Sequence, residues 1–130
     1  MVGARGCDDG VVRPTVLIVD DHADFRVFAR VLLEAEGFAV VGEAHDGASA
    51  LVAASELMPS VVVLDVQLPD LDGFAVCERL IEREHAPVVV LTSSREASSF
   101  RRRLAGSGAR GFIAKAELSG ARLAALTGPG

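Results

Sequence analysis

The sequence predicts a doubly wound α/β domain, with a five-stranded parallel sheet and five helices. Short, continuous apolar runs recur along the chain, and such runs are typical of strands buried on both faces of a parallel sheet. Stretches with apolar residues at helical spacing separate these runs and give a regular strand–helix alternation. The 130 residues are 50% hydrophobic and 24% charged, as expected of one globular domain.

The first strand is predicted at Thr15–Val19, a run of β-branched and aliphatic residues. In the helix that follows, apolar residues recur on one stripe, which predicts the face that packs on the sheet. These residues are Phe25, Phe28, Ala29 and Leu32. Gly37 is expected to end this helix, because glycine readily adopts the left-handed conformation found after helices.

The second strand is predicted at Phe38–Gly42. Asp46 is the expected N-cap of the second helix, since its side chain can accept a hydrogen bond from a free backbone N–H. The inward residues of this helix are expected to be Ala50, Leu51 and Ala54. Pro59 prevents the helix from continuing.

The third strand, Val61–Leu64, ends on a carboxylate, Asp65, and a Pro-Asp turn follows at once. A carboxylate at the end of a buried strand is oddly placed for a solubilising charge. Asp72 is the expected N-cap of the third helix. The residues of this helix that face the core are expected to be Val76, Cys77 and Leu80.

The fourth strand begins after Pro87, covers Val88–Leu91 and ends at Thr92. The fourth helix is predicted over about residues 95–105, with three residues at core spacing: Ala97, Phe100 and Leu104. A short fifth strand, Phe112–Ala114, ends at Lys115, and the last helix is predicted over about residues 117–126.

The composition argues against several classes of function. The net charge of −5 provides no basic footprint for nucleic acid, and no apolar run approaches the length that spans a bilayer. Cys7 and Cys77 form no metal or disulfide pattern, so a reducing cytoplasm is expected. Residues 1–13 are expected to form a flexible tail, residues 14–127 the domain, and residues 128–130 a C-terminal tail or the start of a linker.

The strand ends carry the chemistry. In an open parallel sheet the C-terminal ends of the strands share one edge, where such folds bind ligands. The residues that this chain places there are Asp20, Asp21, Asp65, Thr92 and Lys115. Crowded carboxylates require a proton or a cation among them, and Mg²⁺ suits oxygen donors. Asp65 is then predicted to accept a phosphoryl group, with Lys115 and Thr92 contacting the phosphoryl oxygens.

With these residues, the chain closely resembles the receiver domain of bacterial two-component response regulators. The matching segments, which span about residues 15–126, are Val19–His22, Leu64–Gly73, Leu91–Ser93 and Gly108–Lys115. The resemblance implies a flavodoxin-like fold with strand order 2-1-3-4-5, an order known for this family. It also implies that Mg²⁺ is held by Asp20, Asp21, Asp65 and the backbone carbonyl of Gln67.

The resemblance further implies the partners and the switch. A sensor histidine kinase or a phosphotransfer protein supplies the phosphoryl group, so the domain is not a turnover enzyme beyond phosphotransfer to itself and autodephosphorylation. Phosphorylation draws Thr92 inward, and Phe112 turns into the vacated space. The face formed by the fourth helix, fifth strand and fifth helix then changes its contacts with a downstream protein or fused output domain. A phosphorylation-dependent homodimer is one form that this change can take.

Three positions depart from the family pattern or concern the lifetime of the phosphoryl group. Lys115 precedes Ala116 where many receivers have proline after a cis bond, so a trans bond is expected here. Gln67 and Ser94 occupy positions that set the lifetime of the phosphoryl group in this family.

Several motifs favour other functions only weakly. The GxGxxG segment over 106–111 follows a helix and precedes a strand, the reverse of a dinucleotide site. The run Arg101–Arg103 cannot form one flat patch on a helix, so a solvated surface is favoured over partner contact. His22 abuts the acid pair and His45 sits in a predicted loop, and neither has a partner at metal-ligand spacing.

Three other functions are less consistent with the residues present. A phosphatase of the haloacid-dehalogenase type needs a second Asp two residues after the nucleophile, where this chain has Gln67. A flavodoxin needs a phosphate-binding loop after the first strand, where Asp20 and Asp21 would repel the phosphate. A pseudo-receiver, which binds partners without phosphorylation, usually lacks one of the residues that this chain retains.

Overall fold

A computed structural model describes residues 13–128. The strands are β1 Thr15–Val19, β2 Ala39–Ala44, β3 Val61–Asp65, β4 Val88–Ser93 and β5 Gly111–Ala114. The helices are α1 Ala23–Ala35, α2 Gly47–Leu57, α3 Gly73–Ile81, α4 Arg101–Ala105 and α5 Gly120–Thr127. The strands form one parallel sheet in the order β2-β1-β3-β4-β5. The predicted fold class and the strand order implied by the resemblance are confirmed.

Helices cover the sheet on both faces and form two cores. On one face, residues of α2 and α3 pack against alternate residues of β1, β3 and β4, with Leu104 of α4 at the margin. On the other face, Ala29 and Leu33 of α1 and Leu123 of α5 pack against the intervening strand residues. Cys77 lies in the first core, where burial raises the pKa of its thiol to about 11, so it behaves as a small apolar residue.

The predicted caps explain where several helices begin and end. Asp46 accepts a hydrogen bond from Ser49 N, and Ser49 Oγ accepts one from Asp46 N, so the two form a capping box. Asp72 caps α3 through Phe74 N. Gly37 follows α1 with a φ of +101°, the left-handed region that glycine adopts readily.

The fourth and fifth helices are shorter than predicted. Only Arg101–Ala105 is α-helical, whereas Ala97–Phe100 forms a 3₁₀ turn in which Ala97 is exposed. Consecutive serines in this turn compete for backbone hydrogen bonds and weaken a regular helix. Lys115–Glu117 is likewise a 3₁₀ turn, and α5 begins at Gly120 because Ser119 caps it by accepting from Arg122 N.

Two further predictions were wrong in detail. The second strand runs to Ala44 because its pairing with β1 continues past a register irregularity opposite Val16 and Leu17. Phe28 is 52% exposed, together with Val27 and Val31 on the outer side of α1. Leu33 is fully buried, because the buried stripe of α1 is centred slightly further round the helix.

The predicted tails lie largely beyond this description. Residues 1–12, which include Cys7, and residues 129–130 are outside the described part of the chain. The limits predicted for the tails and the domain therefore stay predictions. None of the helices within 13–128 has both the length and the apolar character needed to cross a membrane.

Candidate functional site

The ends of β1, β3 and β4 bring three buried polar side chains to one edge of the sheet. Asp65 is the last residue of β3 and lies opposite Thr92 in the register of β4. Register partners in a parallel sheet point to the same face, so the Thr92 hydroxyl shares a face with the Asp65 carboxylate. Asp20 directly follows β1, and both Asp20 and Thr92 are 0% exposed. Buried carboxylates of this kind require a compensating cation.

Lys115 supplies one cation to these carboxylates. Its Nζ lies 2.6 Å from Asp20 Oδ2 and 3.1 Å from Asp65 Oδ2. The lysine belongs to the 3₁₀ turn after β5, and its side chain is largely buried. The described residues contain no cis peptide bond, so the bond before Ala116 is trans as expected, and the lysine still reaches the site.

The pKa values reflect this crowding. Burial and the negative charge of Asp20 raise the pKa of Asp65, although a hydrogen bond from Gln67 N and the charge of Lys115 act in the opposite direction. For Lys115, burial acts to lower the pKa, but contact with Asp20 and the charge of Asp65 outweigh it and raise the pKa above its ordinary value. The raised pKa keeps Lys115 charged at neutral pH. The raised pKa of Asp65 means that its charged form is less favourable here than in an exposed aspartate.

One buried oxygen atom at this edge lacks a partner. Thr92 Oγ1 makes no hydrogen bond within the described part of the chain, whereas Asp20 Oδ2 is paired with Lys115 Nζ at 2.6 Å. Because buried polar groups are normally satisfied, the free Thr92 hydroxyl indicates that the edge is built for a ligand.

The donor set fits a divalent cation. Oxygen atoms of Asp20, Asp21 and Asp65 and a ring nitrogen of His22 all lie within 4.8 Å of one another. Carboxylate oxygens are the ligands that Mg²⁺ prefers, so the residues suit this ion. Gln67 also lies at the site, where its backbone N donates to Asp65 Oδ1 at 3.0 Å. Coordination by its carbonyl stays a prediction. His22 has no partner at metal-ligand spacing in the sequence, although its position next to the acid pair was a usable signal.

Comparison with models of known protein families identifies the family of this chain. A model of the response regulator receiver domain matches residues 16–126. The chain belongs to this family. It is the receiver domain of a two-component response regulator, as the resemblance implied.

Known relatives of this receiver domain carry additional sequence. The virulence-factor positive transcription regulator BvgA of Bordetella pertussis is 44% identical over 102 residues, which are 78% of this chain and 49% of that protein. A protein-glutamate methylesterase/protein-glutamine glutaminase of Anaeromyxobacter dehalogenans is 44% identical over 107 residues, 81% of this chain and 30% of that protein. The chain thus spans about half the length, or less, of these relatives.

Solved receiver structures share the fold. The signal receiver domain of the response regulator NarL from Mycobacterium tuberculosis is 31% identical, with a TM-score of 0.80 over 91% of this chain and 99% of that one. A LuxR-family two-component response regulator from Aurantimonas sp. is 30% identical, with a TM-score of 0.78 over 88% of this chain and 86% of that one.

Three residues that the sequence motifs did not reveal contact the acidic edge of the receiver and hold the site residues in position. Gly73 donates its N–H to Val66 O at 2.9 Å, so α3 begins directly against the end of β3. Arg26 donates to the backbone carbonyl of Asp20 at 2.6 Å. The ring of Phe25 lies 4.9 Å from Lys115 Nζ, a cation–π contact that steadies the ammonium group. These residues hold the site from α1 and α3.

A row of three aromatic rings, Phe74, Phe100 and Phe112, runs from the start of α3 to β5. Consecutive ring centroids are 6.0 Å apart in both pairs. Arg103 of the predicted solvated arginine run lies over the Phe74 ring at 4.2 Å and pairs with Asp72 at 2.6 Å. The run is exposed as predicted, but this one arginine also joins α4 to α3. The aromatic row therefore connects the predicted switch residue Phe112 to the start of α3.

The GxGxxG segment runs from the end of α4 to the first residue of β5 and forms a helix-ending turn, in which Gly108 has a φ of +80°. It is not followed by a helix, so it does not have the arrangement of a dinucleotide site.

Proposed function

We propose that this receiver domain accepts a phosphoryl group on Asp65. In this proposal, Mg²⁺ is held by Asp20, Asp21, Asp65 and the backbone carbonyl of Gln67. The observation that carries the proposal is the juxtaposition of the buried Asp65 carboxylate with the Lys115 ammonium and the unpartnered Thr92 hydroxyl. A nucleophile, a cation and a hydrogen-bond donor at one edge are the parts that phosphoryl transfer needs.

The reaction is a transfer between two proteins. An oxygen of the Asp65 carboxylate attacks the phosphorus of a phosphohistidine on a sensor kinase or phosphotransfer protein. The new O–P bond forms as the N–P bond breaks, and the electron pair of that bond stays on the donor's imidazole. Bound Mg²⁺ supplies positive charge that shields the carboxylates from the incoming phosphoryl group. Lys115, already in contact with Asp65 at 3.1 Å, shifts its charge to the phosphoryl oxygens.

The output is a rearrangement of the face formed by α4, β5 and α5. The phosphoryl group gives Thr92 Oγ1 the acceptor that it lacks, which draws the end of β4 toward Asp65. Phe112 then turns inward, and its ring leaves its contact with Phe100. A groove of about 370 Å³ beside Phe112, lined also by Arg101, Leu104 and Gly111, gives this part of the domain room to rearrange. Such a change shifts a two-state equilibrium because the phosphorylated site favours one state.

The partners follow from this output. Relatives of which the matched segment makes up about half the length or less include a transcription regulator and a methylesterase. The switched face therefore controls an output domain or a separate downstream protein, and a phosphorylation-dependent homodimer is a further form of output. We expect these events in the cytoplasm. This receiver segment itself, with a net charge of −5, does not bind nucleic acid.

The pseudo-receiver alternative is not favoured, because the acid pair, the acceptor and the lysine are all present and close together. Turnover of small phosphate esters is not expected either, since Gln67 lacks the acid function that such phosphatases need after the nucleophile.

The test is intact mass spectrometry after incubation with acetyl phosphate, with and without Mg²⁺. The expected result is a Mg²⁺-dependent gain of one phosphoryl group. Asp65→Asn is expected to abolish the gain, whereas the control Asp70→Asn, at an exposed helix-capping position, is expected to retain it. Failure of the folded wild-type protein to gain mass, or to bind beryllofluoride, would favour the pseudo-receiver function.

A further inference from the structure

Few side chains attach α4 to the rest of the domain. The helix is five residues long, and none of its residues is buried. Leu104 packs at the margin of the first core, and the ring of Phe100, directly before the helix, belongs to the aromatic row. A segment with so little buried apolar surface is easily displaced, so each of its other contacts has a large influence on where it lies.

Arg103 makes the strongest polar contact of α4. Its Nη2 lies 2.6 Å from Asp72 Oδ2, and its guanidinium carbon lies 4.2 Å from the centroid of the Phe74 ring. Both partners are at the start of α3, where Asp72 is the N-cap and Phe74 is the second helical residue. Within residues 13–128, the neighbouring Arg102 makes no ion pair. One arginine of the run therefore ties α4 to α3.

Asp72 belongs to the loop that follows the phosphoryl acceptor. It forms an isolated antiparallel β-bridge with Gln67, whose backbone N donates to Asp65 Oδ1 at 3.0 Å. The second oxygen of the Asp72 carboxylate, Oδ1, accepts from Phe74 N at 2.8 Å. One carboxylate thus holds α3 through Oδ1 and α4 through Oδ2. The position of α4 is connected to the acceptor loop through the Arg103–Asp72 ion pair.

This ion pair accompanies the unphosphorylated arrangement of the aromatic row. In the proposed function, Phe112 leaves Phe100 when Asp65 is phosphorylated, which removes a ring contact directly before α4. We propose that Arg103 is a positioning residue that holds α4 against α3 in the unphosphorylated domain and thereby weakens binding of a phosphoryl group at Asp65. Coupling between two sites is reciprocal, so a contact that favours the unphosphorylated arrangement opposes phosphorylation by the same factor. This inference rests on the proposed function and adds a residue that sets how readily the domain switches.

The experiment is calorimetric titration of the full chain with beryllofluoride in excess Mg²⁺, where the BeF₃⁻ group on Asp65 stands in for a phosphoryl group. We expect Arg103→Ala to bind beryllofluoride about threefold to fivefold more tightly than wild type, as the loss of an exposed ion pair and a ring contact allows. Arg102→Ala is the matched control, because it removes the same charge from the same exposed helix. It should bind with wild-type affinity.

A double-mutant cycle separates this contact from a general loosening of the domain. Asp72→Asn removes the charge that pairs with Arg103, while the amide oxygen can still accept from Phe74 N and cap α3. We expect Arg103→Ala to change the beryllofluoride affinity less in the Asp72→Asn background than in wild type, because the ion pair is already broken there. A general loss of stability would give the same factor in both backgrounds.

The contrary outcomes are distinct. Unchanged or weaker beryllofluoride binding by Arg103→Ala would overturn the inference while leaving the acceptor site intact. Equal effects of Arg103→Ala and Arg102→Ala would also overturn it, since loss of positive charge alone would then explain the change. The same factor in both backgrounds of the cycle would overturn it as well. Failure of the folded wild-type protein to bind beryllofluoride would instead refute the proposed function, and the inference with it.

Discussion

Replacing Gly73 with Ala should destabilise the domain because α3 begins against the backbone that follows Asp65. A Cβ at this position would lie 2.6 Å from Val66 Cα and closer still to the Asp65 carbonyl oxygen. Ordinary carbon–carbon contacts are about 3.5 Å or longer, so the two segments must separate by roughly 0.9 Å. Both neighbours are backbone atoms of a buried strand end, which cannot rotate away as a flexible side chain can.

The expected cost is about 3 kcal/mol of unfolding free energy, at the upper end of the usual range for overpacking. Without the clash, Ala at a helical position would instead stabilise the protein by about 0.4–1 kcal/mol relative to Gly. The sign of the effect therefore distinguishes the close approach from helix propensity.

The assay is urea unfolding followed by far-ultraviolet circular dichroism, because the chain contains no Trp or Tyr. Gly106→Ala is the matched control, since a Cβ there meets nothing within 4 Å and the backbone has a φ of −102°. The control is expected to stay within about 0.5 kcal/mol of wild type. A Gly73→Ala protein as stable as wild type would refute the close packing of α3 on the end of β3.

Three other substitutions test the charges and the helix contact. Because burial raises the pKa of Asp65, its contribution to stability is complete below its ordinary pKa and is lost as pH rises through the raised value. Asp65→Asn should therefore be more stable than wild type at neutral pH and similar in acid, and equal urea midpoints at neutral pH would contradict this. Lys115→Met leaves two buried carboxylates without their cation. It should lower the unfolding free energy by about 3 kcal/mol or more at neutral pH, and by less in acid. A urea midpoint unchanged from wild type would show that the ion pairs contribute little. Arg103→Ala removes an exposed ion pair and a ring contact and should cost about 1 kcal/mol, whereas Arg102→Ala should be neutral; equal unfolding free energies for the two variants would contradict the contact between α4 and α3.

The sheet was predictable because its three central strands, β1, β3 and β4, are buried on both faces. A strand such as Val61–Asp65, buried at every position, appears in the sequence as an unbroken apolar run. Four of the five strands end near a polar residue that marks the edge of the sheet. Asp20, Asp65, Thr92 and Lys115 could therefore be placed together before their contacts were known.

Helix limits were harder to predict because caps and short-range competition decide them. Ser119 starts α5 three residues later than the periodic pattern suggests, and the serines before α4 favour a 3₁₀ turn. On α1 the pattern located the buried stripe only to within one residue step, so Phe28 was placed inside and Leu33 was missed. One helical step is 100°, about the width of the stripe itself.

The contacts around the site depend on pairs that are distant in the sequence. Arg103 and Asp72 are 31 positions apart, and their pairing requires α4 to lie beside the start of α3. His22 lacked a histidine or carboxylate at the helical spacing typical of metal motifs, so it was set aside. In the fold, the carboxylates near His22 come from the loop after β1 and from the end of β3, not from a neighbouring turn of one helix. No local pattern encodes such convergence.

The central claim, that Asp65 is the phosphoryl acceptor, is tested most directly by locating the modified residue. After acetyl phosphate treatment with Mg²⁺, borohydride reduction converts an aspartyl phosphate to homoserine, which peptide mass spectrometry identifies by position. We expect homoserine at position 65 and at no other aspartate. Homoserine at Asp20, Asp21 or Asp72, with position 65 unmodified, would contradict this assignment and make Asp65 a ligand or structural residue instead.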